Sequence, residues 1–209
     1  METFEKITRP YVVLYESRHL FRSAAINLFE EQGCNIVTVK PDMPIKESLG
    51  IQNTSALVAI GLNGAGRDIF SILHDIYHLA SQSFQIIVWV RWEFRILKKL
   101  LLALGVRHVF IEYVLYEELT DFFSVPRYIS EHWITQPKQH HSKILTNTEL
   151  RTLLDMSKGL SVSCIALYRN RDSKTIYAHK RNARSRLEMD DSEWLDMLSK
   201  ISLIYSLGF

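Results

Sequence analysis

The sequence predicts an α/β domain with a doubly wound parallel sheet, followed by a smaller all-α domain. Two observations support this fold class. Short apolar runs alternate with amphipathic helical segments up to about residue 125, and only helical patterns follow a polar break. Such alternation is typical of a parallel sheet covered by helices on both faces. With 209 residues, of which 47% are hydrophobic, the chain is long and apolar enough to bury a core in each domain.

Five apolar runs are short enough to be buried strands, and four amphipathic segments separate or follow them. The predicted strands are residues 11–16, 34–39, 55–62, 84–90 and 107–111. The predicted helices are residues 17–33, 66–82, 93–105 and 116–123. In the first helix, Leu20, Ala24 and Leu28 recur at helical spacing and are predicted to face the core. Five strands with short connections predict a flavodoxin-like doubly wound fold.

A polar, aperiodic stretch that contains Pro137 marks the boundary between the two domains. We therefore predict a first domain over residues 1–128, a linker over 129–143 and a second domain over 144–209. No apolar run approaches the roughly 18 residues of a membrane span, and the charged amino terminus does not resemble a signal peptide. Cys34 and Cys164 lack the spacing of metal ligands. We expect a cytoplasmic protein with no metal, no cofactor and no membrane partner.

The second domain carries the pattern of a helix-turn-helix. Thr146 and Glu149 form a capping box for a helix that ends near Gly159, and residues 161–170 form a short second helix. A four-residue turn leads into the helix over residues 173–187. From residue 169 to 186, seven Lys and Arg side chains face one acid, Asp172. A basic second helix is typical of DNA readers, although a solvated charged face has the same composition.

Residues 145–189 resemble the DNA-binding domain of the LuxR/FixJ family of bacterial transcription regulators, and the segment NRDSKTI most resembles its Rcs/BglJ-type branch. The match runs without gaps. Its residues are Leu145, Thr146, Glu149, Leu153, Gly159, Ser161, Ile165, Ala166, Lys174, Thr175, Ile176, His179 and Leu187. The resemblance implies a four-helix domain that binds double-stranded DNA.

The same resemblance implies which side chains contact DNA. Base edges would be contacted by Tyr177, Ala178 and Arg181, with Lys174 and Thr175 near phosphates. The chemistry agrees, because Arg can bond guanine with two hydrogen bonds and Ala can touch a thymine methyl group. Other basic residues are predicted to contact the DNA backbone, which positions the protein without specifying sequence. They are Arg169, Arg171, Lys180 and Arg184.

In this family, the preceding domain is usually a receiver that is phosphorylated on an aspartate. That chemistry needs two acids after the first strand, an aspartate after the third, a hydroxyl after the fourth and a lysine after the fifth. The corresponding positions hold Glu16, Ser17, Gly61, Val90 and Glu112. One of the five roles remains, so we predict a pseudo-receiver. Its pocket is expected to hold a structural salt bridge among Arg18, Arg91 and Glu112, or else a small anion.

Two functions remain open on this reading. The first is a DNA-binding transcription regulator that acts without phosphorylation, as a homodimer or as a heterodimer with a related LuxR/FixJ-type regulator. The alternative is an interaction module that sequesters a partner regulator without reading DNA. Two surfaces are candidates for pairing: the terminal apolar stripe through Leu198 and Ile201, which would otherwise close a helical core, and the face around residues 97–104. No nucleophile–base pair or phosphate loop indicates an enzyme.

Overall fold

The computed structural model describes residues 10–40, 43–48, 56–63, 65, 68–124 and 144–207. The predicted linker, residues 129–143, lies outside the described residues, as do the first nine residues. Within the described ranges, the chain forms five strands and nine α-helices. No helix in these ranges combines the length and the apolar composition needed to cross a lipid bilayer.

The five strands form one parallel sheet. They are β1 (Tyr11–Tyr15), β2 (Asn35–Thr38), β3 (Leu57–Gly61), β4 (Gln85–Val90) and β5 (His108–Ile111). Their order across the sheet is β2-β1-β3-β4-β5, and every neighbouring pair is parallel. This is the flavodoxin-like order, so the predicted fold class is confirmed. β3 and β4 are buried at every position, as expected for central strands that are covered on both faces.

Five helices surround the sheet: α1 (His19–Glu31), α2 (Ile45–Ser48), α3 (Ile69–Ser81), α4 (Leu97–Ala103) and α5 (Leu115–Ser124). Because strand side chains alternate between faces, β1 contributes to two separate cores. Val12 and Leu14 pack in the core that also contains residues of α1 and α5. Val13 and Tyr15 pack in the core that contains α3 and α4. The sheet is therefore covered on both sides.

The structure corrects three details of the prediction. In α1, Leu20 and Ala24 are exposed, and the buried face is formed by Ala25, Leu28 and Phe29. The i, i+3, i+4 spacing of those three residues makes a wider buried stripe than the predicted i, i+4 row. The predicted helix over 93–105 is a 3-10 turn followed by α4. The four-residue helix α2 was not predicted, because it is too short to show a period.

Four helices form the carboxy-terminal domain: α6 (Asn147–Ser157), α7 (Val162–Tyr168), α8 (Ser173–Arg186) and α9 (Asp191–Ser206). The predicted capping box is confirmed at the start of α6. The Glu149 amide donates to Thr146 Oγ1 at 3.3 Å, and the Thr146 amide donates to Glu149 Oε2 at 2.8 Å. A second capping box, between Asp190 and Glu193, opens α9. Side chains thus satisfy backbone donors that a helix start leaves without partners.

The two domains share one hydrophobic core. Buried residues of α3 and α4 belong to the same cluster as Trp194, Ile201 and Ile204 of α9. Polar contacts reinforce the junction. Lys99 Nζ lies 2.6 Å from Glu193 Oε1, and the Leu145 amide donates to the carbonyl of Ala103 at 2.9 Å. α9 therefore serves both its own domain and the junction.

This packing corrects the prediction for the terminal stripe, whereas the face around residues 97–104 stays a prediction because Leu102 remains exposed there. Leu198 and Ile201 are buried within the chain, so the terminal stripe closes a core, as the alternative reading of that stripe held. On α4, Leu97, Leu100 and Leu101 are likewise buried. Apolar side chains at these positions stabilise the monomer and are not displayed to a second copy in this conformation.

Candidate functional site

The turn between α7 and α8 is held by local hydrogen bonds. Ser161 Oγ accepts from the Cys164 amide at 3.2 Å and caps the start of α7. Asn170 then adopts a left-handed conformation, with φ of 49°, which asparagine tolerates better than most residues. Asp172 Oδ1 accepts from the Lys174 amide at 2.6 Å and caps α8. A compact turn between two short helices is the geometry of a helix-turn-helix.

One side of α8 is anchored in the domain core. Ile176 is buried against Val162, Ile165 and Ala166 of α7. Farther along α8, Ala183 is fully buried in the larger core. Helical spacing in the sequence predicts that Ile176, Ala183 and Leu187 face inward, and their burial confirms this prediction. Because burial fixes the rotation of α8 about its axis, the residues on its other side are directed to solvent.

The residues of α8 that are predicted to contact base edges, and the predicted phosphate contact Lys174, lie on that outer side. Lys174, Tyr177, Ala178 and Arg181 follow i, i+3, i+4, i+7 spacing, so they are neighbours on one surface of the helix. Lys174, Tyr177 and Arg181 are exposed, and Ala178 is half-buried. Thr175 is also exposed. We name the surface of Lys174, Tyr177, Ala178 and Arg181 the α8 outer face.

Among the basic residues predicted to contact the DNA backbone, Arg169 has a different role. Its guanidinium lies 2.6 Å from Asp155 Oδ2 and 3.1 Å from Thr152 Oγ1, and only 15% of the side chain is exposed. It ties the end of α7 to α6. The predicted phosphate contact of Arg169 is therefore corrected, because both terminal nitrogens already bond to side chains inside the domain.

The other basic residues divide into free and paired side chains. Arg171 is exposed in the turn, and Lys180 is half-buried on α8. Arg184 forms an ion pair with Asp191, which is itself mostly exposed. Arg186, to which no role was assigned, lies 3.2 Å from the buried carboxylate of Glu149. It is a structural residue that joins the end of α8 to the start of α6.

At the carboxyl ends of the strands, the pocket predicted to be a degenerate receiver site is filled by an internal charge network. Glu16 is almost completely buried. Its Oε1 accepts from the backbone amide and from Nε of Arg18, both at 3.0 Å, and its Oε2 accepts from Arg18 Nη2 at 2.8 Å. Nε1 of the buried Trp89 donates to the same Oε2 at 3.1 Å. The one acid that remains from receiver chemistry is thus fully engaged.

Glu112 extends the network to a second strand end. Arg18 Nη1 donates to Glu112 Oε1 at 2.9 Å, and Asn63 Nδ2 donates to Glu112 Oε2. Asn63 Oδ1 in turn accepts from the Arg91 amide at 2.9 Å. Burial would lower the pKa of Arg18, but its hydrogen bonds to Glu16 and Glu112 outweigh that effect and raise the pKa above its ordinary value. The guanidinium occupies the centre of the pocket as a permanent cation.

At Gly61, the position predicted to correspond to the phosphorylated aspartate, the surroundings leave no space for a side chain. A Cβ atom on Gly61 would lie 2.7 Å from the carboxyl carbon of Glu16 and 2.8 Å from Nε1 of Trp89. Real Cβ atoms essentially never approach other atoms so closely. Val90, at the hydroxyl position, is fully buried, and Ser17 is half-buried. Gly61 supplies no acceptor side chain, and its described surroundings leave no room for one.

The predicted salt bridge is confirmed for Arg18 and Glu112, whereas Arg91 is directed elsewhere. The Arg91 side chain pairs with Glu93 at 2.6 Å, and both side chains are about half exposed. Sequence reasoning missed Trp89 and Asn63. Two signals in the sequence could have indicated them: a tryptophan within a buried strand, and an amide side chain two residues after Gly61. Each of these polar groups needs a hydrogen-bond partner when it is buried. In the described part of the chain, no group of three His, Cys, Asp or Glu could hold a metal ion.

No protein-family model matches this sequence, and a comparison with curated proteins finds no match. Solved structures do match. The two-component response regulator RcsB in complex with DNA superposes with a TM-score of 0.52 at 19% identity, covering 92% of this chain and 100% of that one. RcsB from Salmonella enterica serovar Typhimurium, bound to promoter rprA with a phosphomimetic, gives 0.51 at 19% identity, covering 92% and 99%. These likenesses show that the fold is shared across both domains.

Proposed function

We propose that this chain is a LuxR/FixJ-type transcription regulator that binds double-stranded DNA through the α8 outer face. The observation that supports this proposal is the exposure of that face. Arg181 and Lys174 are available there for hydrogen bonds, and Tyr177 is 58% exposed beside them. A recognition helix that follows a short turn presents side chains to the major groove in this way. The fold shared with RcsB, which has been solved on DNA, supports the assignment.

We further propose that DNA binding is independent of aspartyl phosphorylation and that the role is binding without catalysis. The support is the packing around Gly61, where the Glu16 carboxylate and the Trp89 indole fill the space of an acceptor side chain. Arg18 already pairs with both carboxylates of the pocket, so Mg²⁺ would have to displace its guanidinium. The Arg18 network thus takes the place of the ion-dependent switch.

The proposed regulator has two modules, residues 1–128 and 144–209, joined by residues 129–143, and acts in the bacterial cytoplasm. A single helix-turn-helix module buries roughly 600–1,000 Å² on DNA, which is little for high specificity. We therefore propose that it binds DNA as a dimer, with a second copy or with a related phosphorylatable regulator. The Rcs/BglJ-like segment NRDSKTI favours the second form, in which this chain is an auxiliary subunit.

The interaction-module alternative has one specific observation in its favour. On α7, Leu167 and Tyr168 are 85% and 81% exposed. Neighbouring apolar side chains at the surface are characteristic of protein-binding sites. Under this alternative, α7 would contact a partner regulator, and the α8 outer face would have no DNA to read.

Gel-shift titration on genomic fragments, with and without a related regulator, tests the proposal. DNA binding is expected to be weak for this chain alone and tighter, on asymmetric sites, once the related regulator is added. Leu167→Ala separates the two proposals. If the chain is a DNA-binding regulator, this substitution should leave its affinity for DNA unchanged. Binding to no duplex under any condition, with a partner complex lost in Leu167→Ala, would instead establish the interaction module.

A further inference from the structure

A cleft of about 590 Å³ lies at the junction of the two domains. Its walls come from the segment that begins at Trp92 and continues along α4, and from α9 on the opposite side. The volume lies within the 300–1,000 Å³ range of small-molecule sites, and clefts between domains are a common place for them. It is separate from the receiver pocket, which its own side chains fill.

The charge of this cleft is positive. Two of its charged residues are neutralised at short distance, since Glu93 pairs with Arg91 and Lys99 pairs with Glu193. The remaining cations are Arg95, Lys98 and Lys200, and the remaining acid is Asp196. Three cations against one carboxylate leave a formal charge of +2.

These cations are available to a ligand. Arg95 and Lys98 form no ion pair with any residue that the structure describes, and both are exposed. Lys200 Nζ lies 4.0 Å from Asp196 Oδ1, and the Asp196 side chain is 52% exposed. A solvated pair at that distance is weak, so Lys200 can turn towards an anion at little cost.

Trp92 adds an aromatic wall to the cleft. Its side chain is 54% exposed, which is unusual for the largest apolar side chain. The Arg95 guanidinium lies 4.7 Å from the centre of its ring and the Tyr113 ring lies 6.2 Å away, edge to face. A ring held in this way is a stacking platform for a flat aromatic group.

We propose that this cleft binds a nucleotide, with the base stacked on Trp92 and the phosphates between Lys98 and Lys200. A formal charge of +2 matches a phosphate dianion, and the indole matches a heterocyclic base. Because Lys98 belongs to α4 and Lys200 to α9, the bound phosphate bridges the two domains. Nucleotide binding then stabilises the packed arrangement of α4 and α9 against separation.

Titration calorimetry on the full chain tests the site, with ADP as the probe. One ADP per chain is expected, and adenosine or pyrophosphate alone should bind at least tenfold more weakly, since each offers half of the contacts. Lys98→Ala and Lys200→Ala should each weaken ADP binding by about tenfold, the effect of losing one charged hydrogen bond. Trp92→Ala should do the same, and Trp92→Phe should recover part of the loss.

The matched control is Lys40→Ala. Lys40 is an exposed lysine that follows β2, at the opposite edge of the sheet from α4. Its removal changes the net charge equally and should leave ADP binding unchanged. Circular dichroism of each variant establishes that it is folded.

Three results would overturn the proposal: no heat at millimolar ADP, equal weakening by Lys40→Ala and Lys98→Ala, or tighter binding of salicylate than of ADP. The first two would show that no nucleotide site exists in the cleft, and the third would assign it to aromatic acids. Gel shifts measure DNA binding separately, so failure here leaves the proposed regulator role standing.

Discussion

The carboxylate of Glu16 occupies the space into which a side chain at position 61 would project. Glu16 reaches this position because Arg18 and the Trp89 indole bond its two oxygens. This arrangement requires a glycine at position 61, because any Cβ atom there would collide with the carboxyl group and the indole. The two residues are therefore mutually dependent, and a side chain at position 61 would require the Glu16 carboxylate to move.

Gly61→Asp, which restores the acceptor type, should destabilise the protein by about 3 kcal/mol, because overpacking a core and burying an unpaired carboxylate are both costly. Incubation with acetyl phosphate and Mg²⁺ should give no gain in mass. Urea unfolding and mass spectrometry measure the two outcomes. In the matched double variant Gly61→Ala with Glu16→Ala, the two costs should be less than additive. A stable, phosphorylated Gly61→Asp protein would contradict the packing described here.

Glu112→Lys restores the receiver lysine and should destabilise the protein by about 2 kcal/mol. The substitution places a second cation beside the Arg18 guanidinium, where the structure has an ion pair with 14% of the Glu112 side chain exposed. Glu112→Gln removes the charge but keeps an acceptor, so it should cost less, about 1 kcal/mol. Urea denaturation compares the two. Equal stability of the lysine variant and the parent would show that the Arg18 network is dispensable.

Arg181→Ala should weaken binding to a specific site by about 1–3 kcal/mol while leaving binding to unrelated duplexes nearly unchanged. An arginine that contacts a guanine edge contributes to discrimination by this amount. Fluorescence anisotropy on specific and scrambled duplexes at fixed salt measures the ratio. An equal loss of affinity for both duplexes would show that Arg181 contacts a phosphate and not a base.

Arg169→Ala and Arg171→Ala are neighbouring substitutions with opposite expected effects. Arg169→Ala should destabilise the domain by about 2 kcal/mol, because Asp155, with 17% of its side chain exposed, loses its closer cation and keeps only Lys158 at 3.9 Å. Arg171→Ala removes an exposed cation and should leave stability unchanged, while the slope of log affinity against log salt falls by about 0.9. Thermal unfolding and salt titration of both variants check this. If Arg169→Ala instead lowered the salt slope and left stability unchanged, Arg169 would be a DNA contact.

The free energy of unfolding should decrease as pH falls below the ordinary pKa of histidine. Burial, with help from His78, Arg151 and Lys158 against the opposing effect of Asp75, lowers the pKa of His74 in the folded chain. The unfolded chain then binds more protons between that lowered pKa and 6.5, so stability rises with pH across this window and is lost on acidification.

His74→Gln tests this pH dependence. The variant should flatten the dependence of unfolding free energy on pH between 5 and 7 without abolishing it, since burial lowers the pKa of His108 as well. Urea unfolding at several pH values gives the slope. An unchanged slope in His74→Gln would assign the acid sensitivity to other groups.

Local signals in the sequence determined most of the secondary structure, the fold class and the rotation of α8. These signals depend on neighbours within a few residues, so they can be predicted from the sequence. They are the alternating apolar runs, the capping box at Thr146 and the inward positions of Ile176 and Ala183. The predicted loss of the receiver nucleophile likewise depends on the residue type of Gly61, and it stays a prediction. Sequence reasoning also anticipated the pairing of Arg18 with Glu112, since the ends of parallel strands meet at one edge.

Only the tertiary structure decided which basic side chains form ion pairs within the protein. Arg169 lies in a basic run, but its partner Asp155 is on another helix, so the pair exists only once α6 and α7 pack together. The burial of Leu198 and Ile201 likewise depends on α9 packing into a core that contains residues of α3, α4 and α6. Ion pairs and apolar contacts form across space, and their energies depend on distances that sequence periodicity does not contain.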